Sequence, residues 1–218
     1  MHTRPWFDKL TTGVRQTHDP TRLRLPVARS ASVQLRRLAA KFFKRPSRVP
    51  ASRQDLFARL TELGIDTETA EHPAVFTVAE SSKLERELPG GHTKNLFLKD
   101  KKGRLFLVVA LGRAHIDLKS LHKALACDRL SFGKPELLME VLGVPAGSVT
   151  PFALINDQAH QVTVILDADM MRHERLNYHP LENTATTGIA RQDLLTFIRA
   201  CGHEPRIVGV AAPEHNGS

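Results

Sequence analysis

Residues 90–110, GGHTKNLFLKDKKGRLFLVVA, predict a β-hairpin and with it the kind of sheet on which the protein is built. Two apolar runs flank a short charged turn, and side chains alternate between the two faces of each strand. This alternation places Lys94 on the same face as Leu96 and Leu98, and Asn95 on the opposite face. A lysine in that position either reaches water past the edge of the sheet or lines a pocket with its charge.

Helix and strand signals on both sides of the hairpin predict a mixed order of elements. Ser52 is placed to cap a helix, Asp55 follows three residues later, and Gly64 stands at the expected end. Four further helices are predicted near residues 79–88, 117–126, 135–143 and 191–201. Extended segments are predicted at residues 71–73, 129–132, 150–155, 161–167, 174–180, 184–189 and 206–210. We therefore expect an α/β fold of the mixed α+β type, a single compact domain with a curved, mostly antiparallel mixed sheet and surrounding helices.

The basic charge of the chain is concentrated at its N-terminal end. Residues 1–50 hold 12 Lys+Arg against 2 Asp+Glu, whereas residues 51–218 hold 19 against 21. The first segment also contains five prolines, so we expect a basic, disordered extension (1–50), a folded domain (51–212) and a flexible tail (213–218). The extension is open to interpretation as a nucleic-acid or membrane tether, an organelle presequence, or a segment upstream of the true start. We favour a dispensable extension.

Several functional classes lack their sequence signals. No apolar run approaches the ~18 residues of a membrane span, so we expect a soluble, cytoplasmic protein that does not bind a membrane. Cys127 and Cys201 form no CxxC pair and are interpreted as reduced core residues, with a single disulfide as the alternative. The sequence contains no nucleophile elbow (G-x-S-x-G), no phosphate-binding loop of the Walker A type, no dinucleotide-binding G-x-G-x-x-G and no H-E-x-x-H motif. None of the eleven histidines is paired at helical spacing beside an acid, so we expect no metal and no cofactor.

Two further segments carry polar groups in glycine-rich or proline-bounded surroundings. The sequence GSVTP, residues 147–151, is either a tight connection or a loop whose backbone N–H groups bind an oxyanion or a terminal ribose. His179 precedes a proline, which holds the histidine extended, so it is either a positioned hydrogen-bonding group or the end of a strand.

Five motifs occur in a fixed order along the chain: KNLFLKD (94–100), RLSFG (129–133), GSVTPFALIND (147–157), HPLENTATT (179–187) and GHEP (202–205). In this order they resemble the bacterial YbaK/ProX family of free-standing prolyl-tRNA editing domains, over about residues 52–210. The resemblance is greatest to the branch that hydrolyses alanine from mischarged tRNA for proline. It implies a compact mixed α/β fold and hydrolysis, in trans, of the ester between a wrong amino acid and the terminal adenosine.

The resemblance also implies roles for individual residues. It gives Lys94, Gly147 and Ser148 catalytic roles, and it gives the substrate-binding roles to Asn95, Val149, Thr150, Pro151, His179, Ser131 and Phe132. Two positions depart from the family pattern: Lys134, where a small residue is expected, and Ala146, where proline is frequent.

The partner implied is the acceptor end of a mischarged tRNA, with prolyl-tRNA synthetase or an elongation factor as transient partners. We expect tRNA contacts through Lys119, Lys123 and the turn at residues 99–104. Two alternatives to the alanine-specific enzyme stay open. One is the same reaction on another small acyl group, such as cysteine, serine or threonine. The other is a non-catalytic aminoacyl-tRNA-binding regulatory module.

Overall fold

The computed structural model of the protein describes residues 49–73 and 88–211. All of them belong to one unit of the chain, Val49–Ser218. The predicted N-terminal extension up to residue 48 and the predicted tail (213–218) lie outside the described residues. So does all but the last residue of the helix predicted near residues 79–88.

The described residues form an eight-stranded mixed sheet. Its strands are β1 (Thr67–Glu71), β2 (Gly91–Asp100), β3 (Leu105–Leu111), β4 (Leu130–Phe132), β5 (Val162–Asp167), β6 (Arg175–Tyr178), β7 (Ala185–Ala190) and β8 (Arg206–Val208). Their order is β1-β7-β6-β2-β3-β5-β8, with β4 paired to β2 beside this path. Four pairings are antiparallel, and the three that join β2 to β6, β3 to β5 and β5 to β8 are parallel. The expected mixed α/β fold is confirmed.

The hairpin predicted from residues 90–110 is the centre of this sheet. Strands β2 and β3 pair without a bulge from Thr93 opposite Leu111 to Lys99 opposite Leu105. Every residue of β3 is buried, because helices cover both faces of the sheet at this strand. Strand β2 is less covered near its start, where His92 to Leu96 are all partly exposed.

The helices lie in two layers. They are α1 (Arg53–Glu62), α2 (Leu118–Leu125), α3 (Pro135–Leu142), α4 (Arg191–Ala200) and a 3-10 helix at Pro151–Asn156, and a single 3-10 turn at Met170–Arg172 precedes β6. On the first face, α1, α3, α4 and the 3-10 helix pack on a large core that includes Leu107, Val109 and Phe152. On the second face, α2 buries Leu121 and Leu125 against a smaller core. We call these the first face and the second face below.

The ends of the helices follow the local signals in the sequence. At α1, Ser52 and Asp55 form a reciprocal capping box, with the Ser52 N–H donating to the Asp55 carboxylate over 2.8 Å. Asp117 caps α2 by accepting a hydrogen bond from a backbone N–H of the first turn. Pro135 begins α3, and Gly143 ends it with a φ of 66°, a left-handed conformation that glycine adopts without steric cost.

One predicted element is wrong. Residues 150–155 were expected to be extended, but Pro151–Asn156 is a 3-10 helix. Thr150 caps this helix by accepting a hydrogen bond from the Phe152 N–H over 3.3 Å, and Pro151 at the first position already has the backbone angle of a helix. Its apolar residues are all buried or partly buried, and such a short apolar run is compatible with either a strand or a buried helical turn.

The same 3-10 helix is fixed to its neighbours by the side chain of Asn156. Its Nδ2 donates to the Leu142 carbonyl over 2.9 Å, and its Oδ1 accepts from the Ala51 N–H over 2.8 Å. Asn156 therefore ties together the end of α3, the segment before α1 and the end of the 3-10 helix.

Candidate active site

Lys94 lies on the second face, as alternation along β2 predicts. Its same-face neighbours Leu96 and Leu98 pack into the smaller core, but Lys94 itself is only half-buried. Its ammonium donates a hydrogen bond to the carbonyl of Ala114, in the connection that leaves β3. Burial lowers the pKa of Lys94 from its ordinary value. An ammonium has three N–H donors, and the described residues provide an acceptor for only one of them, so the other two are candidates to interact with a substrate.

His179 follows the strand next to Lys94. Strands β2 and β6 are parallel, with His92 opposite Asn177. This pairing covers only two residues of each strand, and Lys94 and His179 each lie two residues beyond its last pair, His92 and Asn177. The sheet therefore brings side by side two segments that lie 85 positions apart in the chain.

The hydrogen bonding of His179 defines which ring nitrogen is available. Its Nδ1 lies 3.1 Å from the carbonyl oxygen of Ala185, and because a carbonyl can only accept, Nδ1 carries the proton. Burial lowers the pKa of His179, and the bond to Ala185 opposes this only in part. The ring is therefore neutral at pH 7, with Nε2 as a hydrogen-bond acceptor.

Four polar residues that were not predicted as site residues surround this pair. His92 and Asn177 share the second face, where His92 Nε2 donates to the Leu88 carbonyl over 2.9 Å. Asn177 is buried and donates to the Pro89 carbonyl over 3.1 Å. We call the set of Lys94, His179, His92, Asn177, His72 and Thr186 the polar face.

His72 and Thr186 complete the polar face beside His179. The Nδ1 of His72 donates to the Pro73 carbonyl over 2.8 Å, so its Nε2 accepts from the Thr186 hydroxyl over 2.9 Å. The centroids of the His72 and His179 rings are 6.5 Å apart. The period-two alternation of ERLNYHP and TATTGI carried a signal for Asn177 and Thr186, but only the tertiary structure sets Asn177 opposite His92 and Thr186 against His72.

Asn95 lies on the other side of the sheet from Lys94. Its side chain projects to the first face because the β2–β3 register has no bulge that would turn it. Within the described residues, its buried Oδ1 accepts no hydrogen bond. The structure thus separates the two adjacent residues of the predicted lysine-asparagine pair.

The loop at residues 147–151 packs toward the first face. Val149 and Phe152 contact the larger core, and Ser148 and Thr150 are buried. Gly147 is exposed, with a φ of 93° and open space where a side chain would stand. The Ser148 N–H donates to the Pro145 carbonyl over 3.1 Å, whereas the N–H groups of Gly147 and Val149 donate to no other described residue.

Ser131 and Phe132 stand apart from Lys94. In the β2–β4 register Phe132 is opposite Leu98, four residues along β2 from Lys94, a distance of about 13 Å at about 3.3 Å per residue. Both side chains are exposed. They line a groove at the end of the hairpin and are not part of the polar face.

His203, in the GHEP motif, belongs to the structural core near the start of β5. Its Nδ1 donates to the Val162 carbonyl over 3.2 Å, and its Nε2 lies 3.7 Å from a carboxylate oxygen of Asp157. Asp157 accepts hydrogen bonds from the N–H groups of Gln161 and Val162. Burial lowers the pKa of His203, and the nearby Asp157 charge opposes the shift.

Two kinds of feature are absent from the described residues, a metal-binding cluster and a membrane-spanning helix. Among them, no group of three or more His, Cys, Asp or Glu side chains is arranged to hold a metal ion. No helix in the same part of the chain has the length and apolar character needed to cross a bilayer.

Known proteins share both the sequence and the fold of this chain. The family profile described as the aminoacyl-tRNA editing domain matches residues 72–197. The prolyl-tRNA synthetase associated domain-containing protein 1 of Xenopus laevis is 42% identical over 161 residues, covering 72% of this chain and 95% of that protein. The prolyl-tRNA editing protein ProX of Acetoanaerobium sticklandii is 35% identical over 153 residues, covering 70% of this chain and 93% of that protein.

A solved structure supports the fold. A proposed trans-editing enzyme for prolyl tRNA synthetase has a TM-score of 0.56 at 19% identity, over 72% of this chain and 96% of that one. The profile covers more than half of the chain, and both relatives are similar over nearly their whole lengths. The chain therefore belongs to the aminoacyl-tRNA editing domain family, as its resemblance to YbaK/ProX proteins predicts.

Proposed function

We propose that this protein is a trans-editing deacylase that hydrolyses the aminoacyl ester of mischarged tRNA for proline, with alanine as the preferred amino acid. The observation that supports the proposal is the position of Lys94 on β2 and of a neutral His179 directly after β6, since these two strands pair in parallel. One supplies a cation, the other supplies an acceptor nitrogen, and both stand on a part of the sheet that is only half covered.

An aminoacyl ester is already activated, so the site needs no strong nucleophile of its own. Water attacks the ester carbonyl carbon, the bond from that carbon to the ribose oxygen breaks, and the ribose oxygen takes a proton. The products are the free amino acid and a tRNA with a free terminal hydroxyl. The site must orient the water and stabilise the negative charge that develops on the carbonyl oxygen.

The polar face offers groups for both tasks. The two remaining N–H donors of Lys94 stabilise the developing oxyanion or hold the terminal phosphate. Nε2 of His179 accepts a hydrogen bond from the attacking water or from the substrate's amino group. A neighbouring hydroxyl of the substrate's own ribose helps to position the water, as the family resemblance suggests.

The loop at residues 147–151 keeps the role that the resemblance implies. The backbone N–H groups of Gly147 and Val149, which donate to none of the described residues, are suited to an oxygen of the terminal ribose. The substrate-binding role implied for Asn95 stays a prediction, because its side chain projects to the first face, where its buried Oδ1 accepts no hydrogen bond from the described residues. Ser148, Thr150 and Pro151 hold the shape of the loop, since all three are buried.

Alanine specificity rests on size. A small pocket rejects proline by steric clash, but it discriminates only weakly against a smaller acyl group by lost contacts. The same geometry would serve cysteine, serine or threonine esters, and a binding module without turnover would use the same face. The names of the relatives favour the proline system, with the acceptor end of tRNA as ligand and prolyl-tRNA synthetase or an elongation factor as transient partner. We place the reaction in the cytoplasm.

The test is deacylation of Ala-tRNA(Pro) beside Pro-tRNA(Pro), Cys-tRNA(Pro) and Ala-tRNA(Ala). Both the full chain and a truncated chain that begins at Val49 are assayed. We expect rapid release of alanine from the proline tRNA by both chains, with proline left attached. If neither chain cleaves any ester while the tRNA still binds, the hydrolase proposal falls and the binding module replaces it.

A further inference from the structure

The polar face contains a hydroxyl–imidazole pair, Thr186 and His72, in addition to Lys94 and His179. The Thr186 hydroxyl lies 2.9 Å from Nε2 of His72, and Nδ1 of His72 lies 2.8 Å from the Pro73 carbonyl oxygen. Because that carbonyl can only accept, Nδ1 carries a proton, and in the neutral ring the lone pair of Nε2 points at the Thr186 hydroxyl. The hydroxyl proton is thus directed at a nitrogen that is able to take it.

This pair has the parts of a general-base unit. Such a unit consists of a hydroxyl, a base within hydrogen-bond reach of it, and a third group that orients the base. Thr186 supplies the hydroxyl, His72 the base and the Pro73 carbonyl the orienting group. The backbone of His72 is held as well, since its N–H donates to the Thr184 carbonyl over 3.0 Å. The imidazole is therefore fixed before any substrate binds.

The pair stands next to His179. The carbonyl of Ala185, the residue before Thr186, accepts the hydrogen bond from Nδ1 of His179 over 3.1 Å. The rings of His72 and His179 have centroids 6.5 Å apart. Opposite Thr186 in the β1–β7 register is Ala70, whose methyl group is the only side chain that β1 places beside the hydroxyl on this face. The strands thus leave space next to the Thr186 oxygen on the side of the polar face.

The Thr186 oxygen has acceptor capacity to spare. A hydroxyl has one proton and two lone pairs, and the proton is donated to His72. Among residues 49–73 and 88–211, no group donates to this oxygen in return. A water molecule that donates to it is connected through it to Nε2 of His72. Thr186 is only 5% exposed, so little bulk water competes for this position.

We propose that the Thr186 hydroxyl and the His72 imidazole together take the proton of the attacking water. The water gives a proton to the Thr186 oxygen while the Thr186 hydroxyl proton moves to Nε2 of His72, and the water oxygen bonds to the ester carbonyl carbon. When the bond from that carbon to the ribose oxygen breaks, the protons return along the same path to the ribose oxygen. Thr186 and His72 end unchanged. The inference rests on the proposed function, since it takes the ester to lie at the polar face.

The first experiment removes the hydroxyl and keeps the shape of the side chain. Deacylation of Ala-tRNA(Pro) is compared for full-length wild type, Thr186→Val, Thr186→Ser and Thr187→Val. Thr187 is the matched control, because it is the next residue, is also buried, and bonds a hydroxyl, that of Thr69, over 2.8 Å on the first face. Melting curves of all four proteins check that each is folded.

Loss of the proton path predicts that Thr186→Val lowers kcat about 100-fold with little change in KM. Thr186→Ser keeps a hydroxyl and is expected to retain most of the activity, and Thr187→Val is expected to match the wild type. A folded Thr186→Val protein with the kcat of the wild type would overturn the proposal.

A second variant separates proton transfer from orientation of the hydroxyl. His72→Gln places a side-chain carbonyl near the position of Nε2, so it still accepts from Thr186 but cannot take up a proton. If His72 accepts the proton, His72→Gln loses about as much kcat as Thr186→Val. If His72 only orients Thr186, His72→Gln stays close to the wild type, and the proposal is overturned.

A spectroscopic measurement distinguishes failure of this inference from failure of the proposed function. If the wild type is active and Thr186→Val is equally active, the inference fails alone. If the wild type cleaves no aminoacyl ester, the proposed function fails, and the pair is tested by NMR of the protein with ¹⁵N-labelled histidine. A shift of the His72 Nε2 resonance in Thr186→Val, but not in Thr187→Val, supports the hydrogen-bonded pair. An unchanged resonance in Thr186→Val refutes it.

Discussion

Replacing Lys94 by methionine removes the ammonium and keeps an unbranched side chain of similar length on the second face. The hydrogen bond to the Ala114 carbonyl is lost, which we expect to lower the free energy of unfolding by about 1 kcal/mol, because this half-exposed carbonyl can bind water instead. The effect on catalysis is expected to be much larger. Removing one donor to a developing oxyanion typically lowers kcat by about 10²–10³-fold.

The assay for Lys94→Met is single-turnover deacylation of Ala-tRNA(Pro), with urea unfolding of the same protein. The matched control is Arg199→Met, since Arg199 lies outside the predicted site and its exposed guanidinium is paired with Glu204 at the surface over 3.1 Å. We expect the control to deacylate like the wild type and to unfold at nearly the same urea concentration. Turnover by Lys94→Met close to the wild-type rate would refute the electrostatic role and leave Lys94 as a structural lysine.

Three further predictions concern stability. Asn156→Ala removes both side-chain hydrogen bonds to backbone groups and is expected to lower the free energy of unfolding by about 2 kcal/mol in urea titration. Gly133→Ala places a methyl group 2.4 Å from the Phe97 ring and is expected to cost about 1–3 kcal/mol, whereas Gly209→Ala, in open space, leaves the urea midpoint unchanged. Burial holds the pKa of His203 below its value in the unfolded chain, so the unfolded chain binds this proton more readily. The free energy of unfolding should therefore fall as pH drops below about 6.5, by at most about 1.4 kcal/mol per pH unit. His203→Asn should weaken this pH dependence in urea titrations.

Local signals in the sequence predicted most of the elements and the family. The capping box at Ser52, the Asp117 cap and the proline and glycine that bound α3 are short-range features, and each is confirmed. The resemblance to the YbaK/ProX family is confirmed together with the mixed α/β fold. The prediction for residues 150–155 failed because a threonine followed by proline is a helix start, and the apolar residues after it masked that signal.

The sequence alone determined that Lys94 and Asn95 face opposite sides of the sheet, because successive side chains of any β-strand point to opposite faces. Which strand lies beside the start of β2 was decided by the parallel β2–β6 register, a contact between segments more than 80 positions apart that no local pattern specifies. The sequence indicated Lys94, His179 and Phe132 together as candidate site residues. Strand pairing set β6, which His179 follows, beside the strand of Lys94 and placed Phe132 about 13 Å along β2 from Lys94, since each residue of a strand advances its neighbour by a fixed rise.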